Sequence, residues 1–309
     1  MVEQAVPRIS IGMPVYNGAK HIREALDSLL GQTFSDLELI IGDNASTDDT
    51  EAICREYAAR DSRIRYIRHE KNIGAIKNFD FVYRQSRGQY FKWAAHDDKI
   101  APTFLERCAE VLDRDPEVVL CYARVTHIDA NSQSISNYDS GFHFVSESPA
   151  ERFRAFFKAP VKCTPIFGLM RSKAIRTLGP QGDYIAADRI YLGELALMGK
   201  IHEVPENLFF RRIHPGMSTE ANKNSRSLAM WFNPANQRRI LLPKWKWLKE
   251  YLRGVNRARL TSAERRQCLL IVLQNLLPPR KWPAMAKELA QGAVQVAAHP
   301  DWLLKARGA

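Results

Sequence analysis

The sequence predicts an α/β protein, with a mostly parallel sheet flanked by helices and a helical C-terminal extension. Three observations predict it. Short apolar runs alternate with amphipathic segments through residues 9–125, polar clusters stand directly after several of those runs, and the last third reads as helix with a basic surface.

The elements follow in order. Ile9–Val15 is a short apolar run, closed by turn chemistry at Asn17-Gly18. Ile22, Ala25, Leu26, Leu29 and Leu30 then fall on one helical face. Leu37–Ile41 reads as a buried strand, and Thr47–Ala59 as a helix with Thr47 or Asp48 at its N-cap. Strand Arg63–Ile67, helix Asn78–Arg84, strand Tyr90–Ala94, a helix opened by Pro102 and running to Leu112, and strand Val118–Val125 complete the series. Such an alternation implies parallel strands with both faces covered. Beyond it, the Ser- and Asn-rich stretch Asn131–Ser148 reads as a loop or flap, Pro149–Phe157 as helix, and Lys162–Gly168 as turns. Helices are expected over Arg171–Leu178 and Asp188–Met198, an extended segment over Glu203–Arg212, and a polar, mobile stretch over Glu220–Ser227.

The chain has 309 residues, 45% hydrophobic and 26% charged, with a formal net charge of +11. That composition belongs to a globular protein with a full core. The positive charge is concentrated: eight Lys or Arg and two acids lie between Pro243 and Arg266. Five cysteines, at 54, 108, 121, 163 and 268, include no C-x-x-C pair, so reduced, buried thiols are expected rather than a disulfide framework or a zinc ribbon. Met1–Arg8 lacks the apolar core of a signal peptide, and the longest apolar run, Cys268–Leu273, is far below the ~20 residues of a membrane span. The expectation is a soluble, cytoplasmic protein or one peripheral to the inner face of the membrane.

In a parallel sheet, ligands bind outside the carboxyl ends of the strands. The polar residues there should therefore converge: Tyr16-Asn17, Asp43-Asn44 and His96-Asp97-Asp98. Adjacent carboxylates such as Asp97 and Asp98 repel one another and need a counter-charge. A hard divalent cation, Mg²⁺ or Mn²⁺, supplies it and would neutralise a diphosphate leaving group. The competing reading is a solvated turn that caps the next helix. Asp43 could accept hydrogen bonds from a base or ribose, or could serve only its turn, and Tyr16 could pack on a nucleobase or in the core.

Taken together, Pro14-Val15-Tyr16-Asn17-Gly18, Gln32-Thr33-Phe34, Asp43-Asn44-Ala45-Ser46-Thr47-Asp48, Asn72-Ile73-Gly74, Gly88-Gln89-Tyr90 and His96-Asp97-Asp98 followed by Pro102 resemble the family 2 glycosyltransferases. The match in order and spacing covers about residues 8–125, with a looser likeness to about 218. The resemblance implies the GT-A fold, Rossmann-like, and an inverting transfer from a nucleotide-diphosphate sugar, a UDP-sugar in the first instance. It places Pro14, Tyr16 and Asn17 at the nucleoside pocket, Asp43 at the base, Asp97 at ribose or donor sugar, and Asp98 on the metal. Two departures stand out: Ala95 occupies the first position of the D-x-D-D pattern, and Lys77-Asn78 stands where relatives carry an Arg-Asn pair further on.

An inverting transfer needs one carboxylate to take the acceptor proton. The family places it at the start of a helix after a Gly-rich loop. Asp188, after Gly179-Pro180-Gln181-Gly182-Asp183, is the matching residue, with Asp183 the alternate. Arg211-Arg212-Ile213-His214 resembles the family's Arg-x-His segment, which implies Arg212 at a phosphate and His214 at the metal or diphosphate. The resemblance divides the chain into a catalytic domain, 1–218 (a nucleotide-sugar half, 1–125, and an acceptor half with the base, 126–218), and a basic helical extension, 219–309.

In that extension Trp245, Leu248, Leu252 and Val255 share a helical face beside Lys246, Lys249 and Arg253, with Trp247 and Tyr251 nearby. Such a helix either lies on an anionic membrane through 243–266 or packs on the domain. The membrane reading would suit a polyprenyl-linked acceptor; a glycan acceptor in polysaccharide biosynthesis is the broader expectation. Three rivals remain. A nucleotidyltransferase would carry a Gly-rich basic loop after the first strand, which is missing. A nucleic-acid binder would show more than one basic helix. A non-catalytic nucleotide-sugar-binding protein on the same fold is favoured by Ala95 and opposed by Asp98, Asp188 and His214.

Overall fold

A computed structural model describes residues 6–160, 162–222 and 224–298; the outermost parts of the two predicted domains, 1–5 and 299–309, lie outside the described residues. The elements run β1 (Ile9–Val15), α1 (Ile22–Leu30), β2 (Leu37–Asp43), α2 (Thr50–Arg60), β3 (Ile64–Arg68), α3 (Ala75–Arg84), β4 (Tyr90–Trp93), β5 (Lys99–Ile100), α4 (Phe104–Arg114), β6 (Val118–Ile128), β7 (Ser134–Tyr138), α5 (Pro149–Lys158), β8 (Leu169–Arg171), α6 (Ser172–Leu178), α7 (Ala187–Met198), β9 (Lys200–Arg212), α8 (Ser218–Ala221), α9 (Ser225–Phe232), α10 (Pro243–Arg257), α11 (Ser262–Leu276) and α12 (Trp282–Ala298).

The sheet has the order β3-β2-β1-β4-β8-β6-β9-β5, with β7 on the side of β6. It is parallel over β3-β2-β1-β4. Beyond β4 it is mixed: β8 runs antiparallel to β4 and β6, β9 is parallel to β6, and β5 and β7 are antiparallel edges. Every residue of β1, β2 and β4 is buried, as strands covered on both faces require. Helix α1 buries Ile22, Ala25, Leu26 and Leu29, the i, i+3, i+4, i+7 stripe read from the sequence.

Several of the recurring motifs prove to be joints between elements. Gln32 donates through Nε2 to the Ala101 carbonyl and accepts from Leu105 N through Oε1, and Thr33 N donates to Pro102 O. That fixes the chain just beyond the acidic pair. Gly88 N donates to Ser10 Oγ at 2.8 Å, and a Cβ at Gly88 would lie 2.7 Å from Ser10 N, so only glycine fits.

Some boundaries moved. Helix α2 starts at Thr50 with Asp49 at its cap position, while Asp48 Oδ1 accepts from Thr50 N. Pro102 lies in a turn ahead of α4 rather than at its first position. The Asn131–Ser148 stretch contains β7 and a bridge from Phe144 to Ile201, and α8 and α9 occupy much of the polar stretch around Glu220–Ser227.

The tail helices share the core of the sheet domain. Leu248, Tyr251 and Val255 of α10, Cys268, Ile271 and Val272 of α11 and Met285 of α12 lie in one apolar cluster with Phe153, Phe156 and Leu192. Trp245 Nε1 donates to Met285 O and Trp247 Nε1 to Ile185 O. The aromatic residues assigned to a membrane interface therefore face protein. Lys246 and Arg253 pair with Glu250 on the same helix. No described helix is long and apolar enough to cross a membrane.

Candidate active site

The carboxyl ends of β1 and β2 are joined by their loops. Asn17, with φ 51°, donates its N–H to Ser46 Oγ at 2.9 Å, and its Oδ1 accepts from Thr47 N at 2.8 Å. Gly18 N donates to Thr50 Oγ1 and Asn44 N to Val15 O. Asp43 is fully buried: Oδ1 accepts from Ser46 N at 2.9 Å and Oδ2 from the Tyr66 hydroxyl at 2.6 Å, with Arg68 Nε at 3.7 Å. Both oxygens of the carboxylate expected at the base are thus held within the protein. Asn44 reaches the next loop, donating to Asn72 Oδ1 and accepting from Ile73 N. Gly74, at φ 87°, then turns the chain into α3, where Asn78 is buried and donates to Gly42 O. Pro14 is buried within β1, and Tyr16 is 44% exposed beside these loops.

The loop after β4 is built differently. Asp97 and Asp98 stand at one wall of a cavity of about 660 Å³ that also takes in Ala95, Asp188, Arg211 and Arg212. Asp98 Oδ1 accepts the Arg212 N–H at 2.9 Å, and no described donor reaches its other oxygen. Burial, then the charge of Asp97, push the Asp98 carboxyl up to about 7, with partial relief from Arg212. Burial pushes Asp97 the same way, but His96 and the hydrogen bond from His214 outweigh it and hold Asp97 below its usual value. His214 Nε2 lies 2.9 Å from Asp97 Oδ2, and its ring packs 5.0 Å from that of His21.

Arg212 holds this corner together. Its side chain is buried, and every guanidinium nitrogen is engaged. Nε donates to Asp97 O, Nη1 to the carbonyls of Asp129 and Ala130, and Nη2 to Glu24 and Ser132. The fork expected to grip a phosphate is closed on protein acceptors, so the structure corrects that role to one of positioning.

Asp188 lines the same cavity, in the first turn of α7, after Ala186 in the left-handed region at φ 62°. Burial raises its pKa, against a hydrogen bond from Arg189 N and a contact with Cys163. Asp183 does not reach this cavity; it holds Asn233 and Arg239. The structure therefore brings together Asp97, Asp98, Arg212 and Asp188, with His214 behind Asp97, and sets Pro14, Tyr16, Asn17 and Asp43 on the neighbouring strand ends.

The residues present fit a divalent cation in part. Among the described residues no cluster of three His, Cys, Asp or Glu side chains could hold a metal on its own. Mg²⁺ and Mn²⁺, however, complete their shells with water and substrate phosphate around one or two carboxylates. The under-compensated Asp98 suits that pattern, whereas His214 is engaged with Asp97.

Residues 10–178 match the family described as "Glycosyl transferase family 2". The chain belongs to glycosyl transferase family 2. Among family relatives, chondroitin synthase of Escherichia coli is 37% identical over 133 residues, covering 43% of this chain and 19% of that protein. An uncharacterized glycosyltransferase of Rickettsia typhi is 35% identical over 130 residues, 42% of this chain and 40% of its own length. The chain thus spans well under half of these relatives. Among solved structures, TarS 1–349 of S. aureus in complex with UDP-GlcNAc aligns with a TM-score of 0.62 at 17% identity, covering 94% of this chain and 81% of that one. The shared fold is GT-A.

Other cavity residues were passed over in the sequence. Trp231 and Phe232 of α9 line it, as do Ile76 and Phe79 of α3, and His127, Lys162 and Arg211 form one corner. The run Leu228-Ala229-Met230-Trp231-Phe232 was the available signal for the first pair. Nothing local marks the corner, which three separated segments assemble.

Proposed function

We propose that this family 2 member is an inverting glycosyltransferase that moves a sugar from a nucleotide-diphosphate donor, a UDP-sugar, to a hydroxyl of a glycan or lipid-linked acceptor in polysaccharide biosynthesis. The observation that carries the reading is one cavity lined by the acidic pair Asp97/Asp98 and by the half-buried Asp188. The strand-end loops carrying Pro14, Tyr16, Asn17 and Asp43 would receive the nucleoside, with Tyr16 as the exposed platform and Asp43 fixing the loop.

The chemistry is a single displacement. The acceptor oxygen attacks the anomeric carbon, the bond from that carbon to the phosphate oxygen breaks, and the nucleoside diphosphate leaves with the electron pair. Asp188 accepts the hydroxyl proton, and its raised pKa makes it a stronger base than a solvated carboxylate. Asp98, with Asp97 and His214 behind it, would hold a divalent cation, which when bound neutralises diphosphate charge. Arg212 keeps the acidic loop in place. The donor class is supported by TarS, solved with UDP-GlcNAc, and by a Pyrobaculum calidifontis mannosyltransferase, solved with GDP-Man and Mn²⁺. The glycan acceptor is supported by the likeness to chondroitin synthase.

Ala95, on the cavity wall where many relatives place an acid, favours a second reading as a non-catalytic nucleotide-sugar binder. Calorimetric titration of UDP with Mn²⁺, with Mg²⁺ and with EDTA tests the donor site on wild type and Asp98→Ala. Metal-dependent binding lost in the variant is expected. Absence of binding by UDP, dTDP and GDP alike would refute the donor site, and binding without turnover would favour the second reading.

A further inference from the structure

One corner of the cavity is rich in polar atoms that satisfy nothing in the protein. Arg211 and Lys162 line it, and neither makes a hydrogen bond or ion pair with a described residue. Their neighbours Arg189 and Arg212, on the same cavity, are fully engaged: Arg189 donates to the carbonyls of Phe156, Ala159 and Pro160. His127 offers Nδ1 to Ser136 Oγ at 3.2 Å, while its Nε2 is buried without a partner. Tyr138 stacks on His127, with ring centroids 5.7 Å apart, and its hydroxyl is likewise buried and unpartnered. Lys162 Nζ sits 4.2 Å from the centre of that same Tyr138 ring.

Lys162 is exposed and Arg211 half-buried, so their charges are open to a ligand, and the two orphaned polar atoms beside them are costly unless a ligand completes them. The charges concerned are positive and the free atoms are largely donors, so the missing group is an oxyanion. Its place relative to the reaction follows from the chain: Lys162 precedes Cys163, which contacts the candidate base Asp188. The cluster thus lies on the side of the base, on β6, β7, β9 and the segment just ahead of the turn Thr164–Phe167.

We infer that Arg211, Lys162 and His127 form a subsite for an acidic group, a carboxylate or phosphate, carried by the acceptor near the hydroxyl that is glycosylated. This rests on the proposed transferase reading and deepens it: the acceptor is an anionic glycan or a phosphate-bearing chain rather than a neutral sugar. Arg211 and Lys162 bind the anion and His127 orients it; none of them enters the proton transfer.

The test is calorimetric, on the full chain, with UDP, inorganic phosphate, glucuronate and the uncharged comparator glucose. Phosphate and glucuronate are titrated into free and UDP-saturated protein, for wild type, Arg211→Gln and Lys162→Gln. Both variants remove side chains without hydrogen-bond partners, so folding should survive, and circular dichroism checks it. The expected result is that both anions bind UDP-saturated wild type at least about tenfold more tightly than glucose. Each variant should lose about tenfold in anion affinity and keep its UDP affinity within about threefold. A parallel loss of UDP affinity would overturn the acceptor assignment, because the donor diphosphate would then fill the corner. Equal binding of glucuronate and glucose, or variants with unchanged anion affinity, would overturn the subsite itself. Failure of the transferase reading shows separately, as wild type that binds no nucleotide while the phosphate titration on free protein still reports on the corner.

Discussion

Two strand ends of the same parallel sheet carry carboxylates, and their surroundings are opposite. Asp43, after β2, has a backbone N–H, a tyrosine hydroxyl and an arginine about it. Asp98, after β4, has one backbone N–H, a second carboxylate beside it, and a pKa raised to about 7. A carboxylate satisfied on both oxygens holds a loop; one left short of positive charge is available to a cation or substrate. The contrast separates the scaffold of the site from its reacting part.

The comparison can be broken most sharply at the base. Asp188→Asn should lower turnover about 10³-fold, within the range of a lost general base, while UDP affinity stays within about threefold. A variant that keeps a tenth of wild-type kcat would remove Asp188 from the mechanism. Next in size, Asp98→Ala should cost about tenfold or more in UDP affinity with Mn²⁺ present and almost nothing with EDTA; equal losses in both would mean that Asp98 also serves the fold.

The scaffold side should answer in stability. Asp43→Ala strands the Tyr66 hydroxyl and Ser46 N–H, and should cost about 2–3 kcal/mol in urea unfolding. Arg212→Met should be worse by urea, about 3–5 kcal/mol, since it takes a buried donor from the carbonyls of Asp97, Asp129 and Ala130 together. If instead Asp43→Ala leaves stability unchanged and abolishes nucleotide binding, the contrast between the two loops collapses.

The last test is read in pH, at Lys92, whose charge interacts with Asp98. Lys92 on β4 is buried, donates to Trp93 O and Phe167 O, and burial brings its pKa down to about 7. The folded state then holds fewer protons than the unfolded state between about pH 7 and the ordinary lysine range near 10.5. Stability contributed through this residue must rise with pH across that window, and the cost of its burial is greatest below pH 7. Lys92→Met should therefore gain stability over wild type as pH falls from 10 to 7. A difference that is flat with pH would show that Lys92 keeps its proton in the folded state across that window.

Much of this was legible in sequence. The parallel strands announce themselves because burial on both faces demands mostly apolar runs, as in Ile9–Val15 and Leu37–Ile41. The acidic pair was singled out by its place after a strand and Asp188 by the family resemblance, and all three line one cavity. β7 was not, because its residues Ser134–Asn137 are exposed and show no alternation to read. Arg212 was misjudged for another reason. Arginine's fork suits a phosphate and a ring of carbonyls equally, and only three-dimensional neighbours decide between them. The corner of His127, Lys162 and Arg211 escaped because its members lie on separate segments, and Arg211, although it stands in the Arg211-Arg212-Ile213-His214 run, was given no role of its own.

The bond from Trp247 to the Ile185 carbonyl has a consequence for engineering. The family match ends at residue 178, ahead of Asp188, and the loop that presents Asp188 leans on a helix of the extension. A chimera that exchanges the segment carrying Asp188 should cross over near Gly179, whose built Cβ would meet nothing within 4 Å. The graft would have to carry its own C-terminal helices with it. A graft trimmed at the end of β9 would deliver the proposed base without the helix its loop leans on.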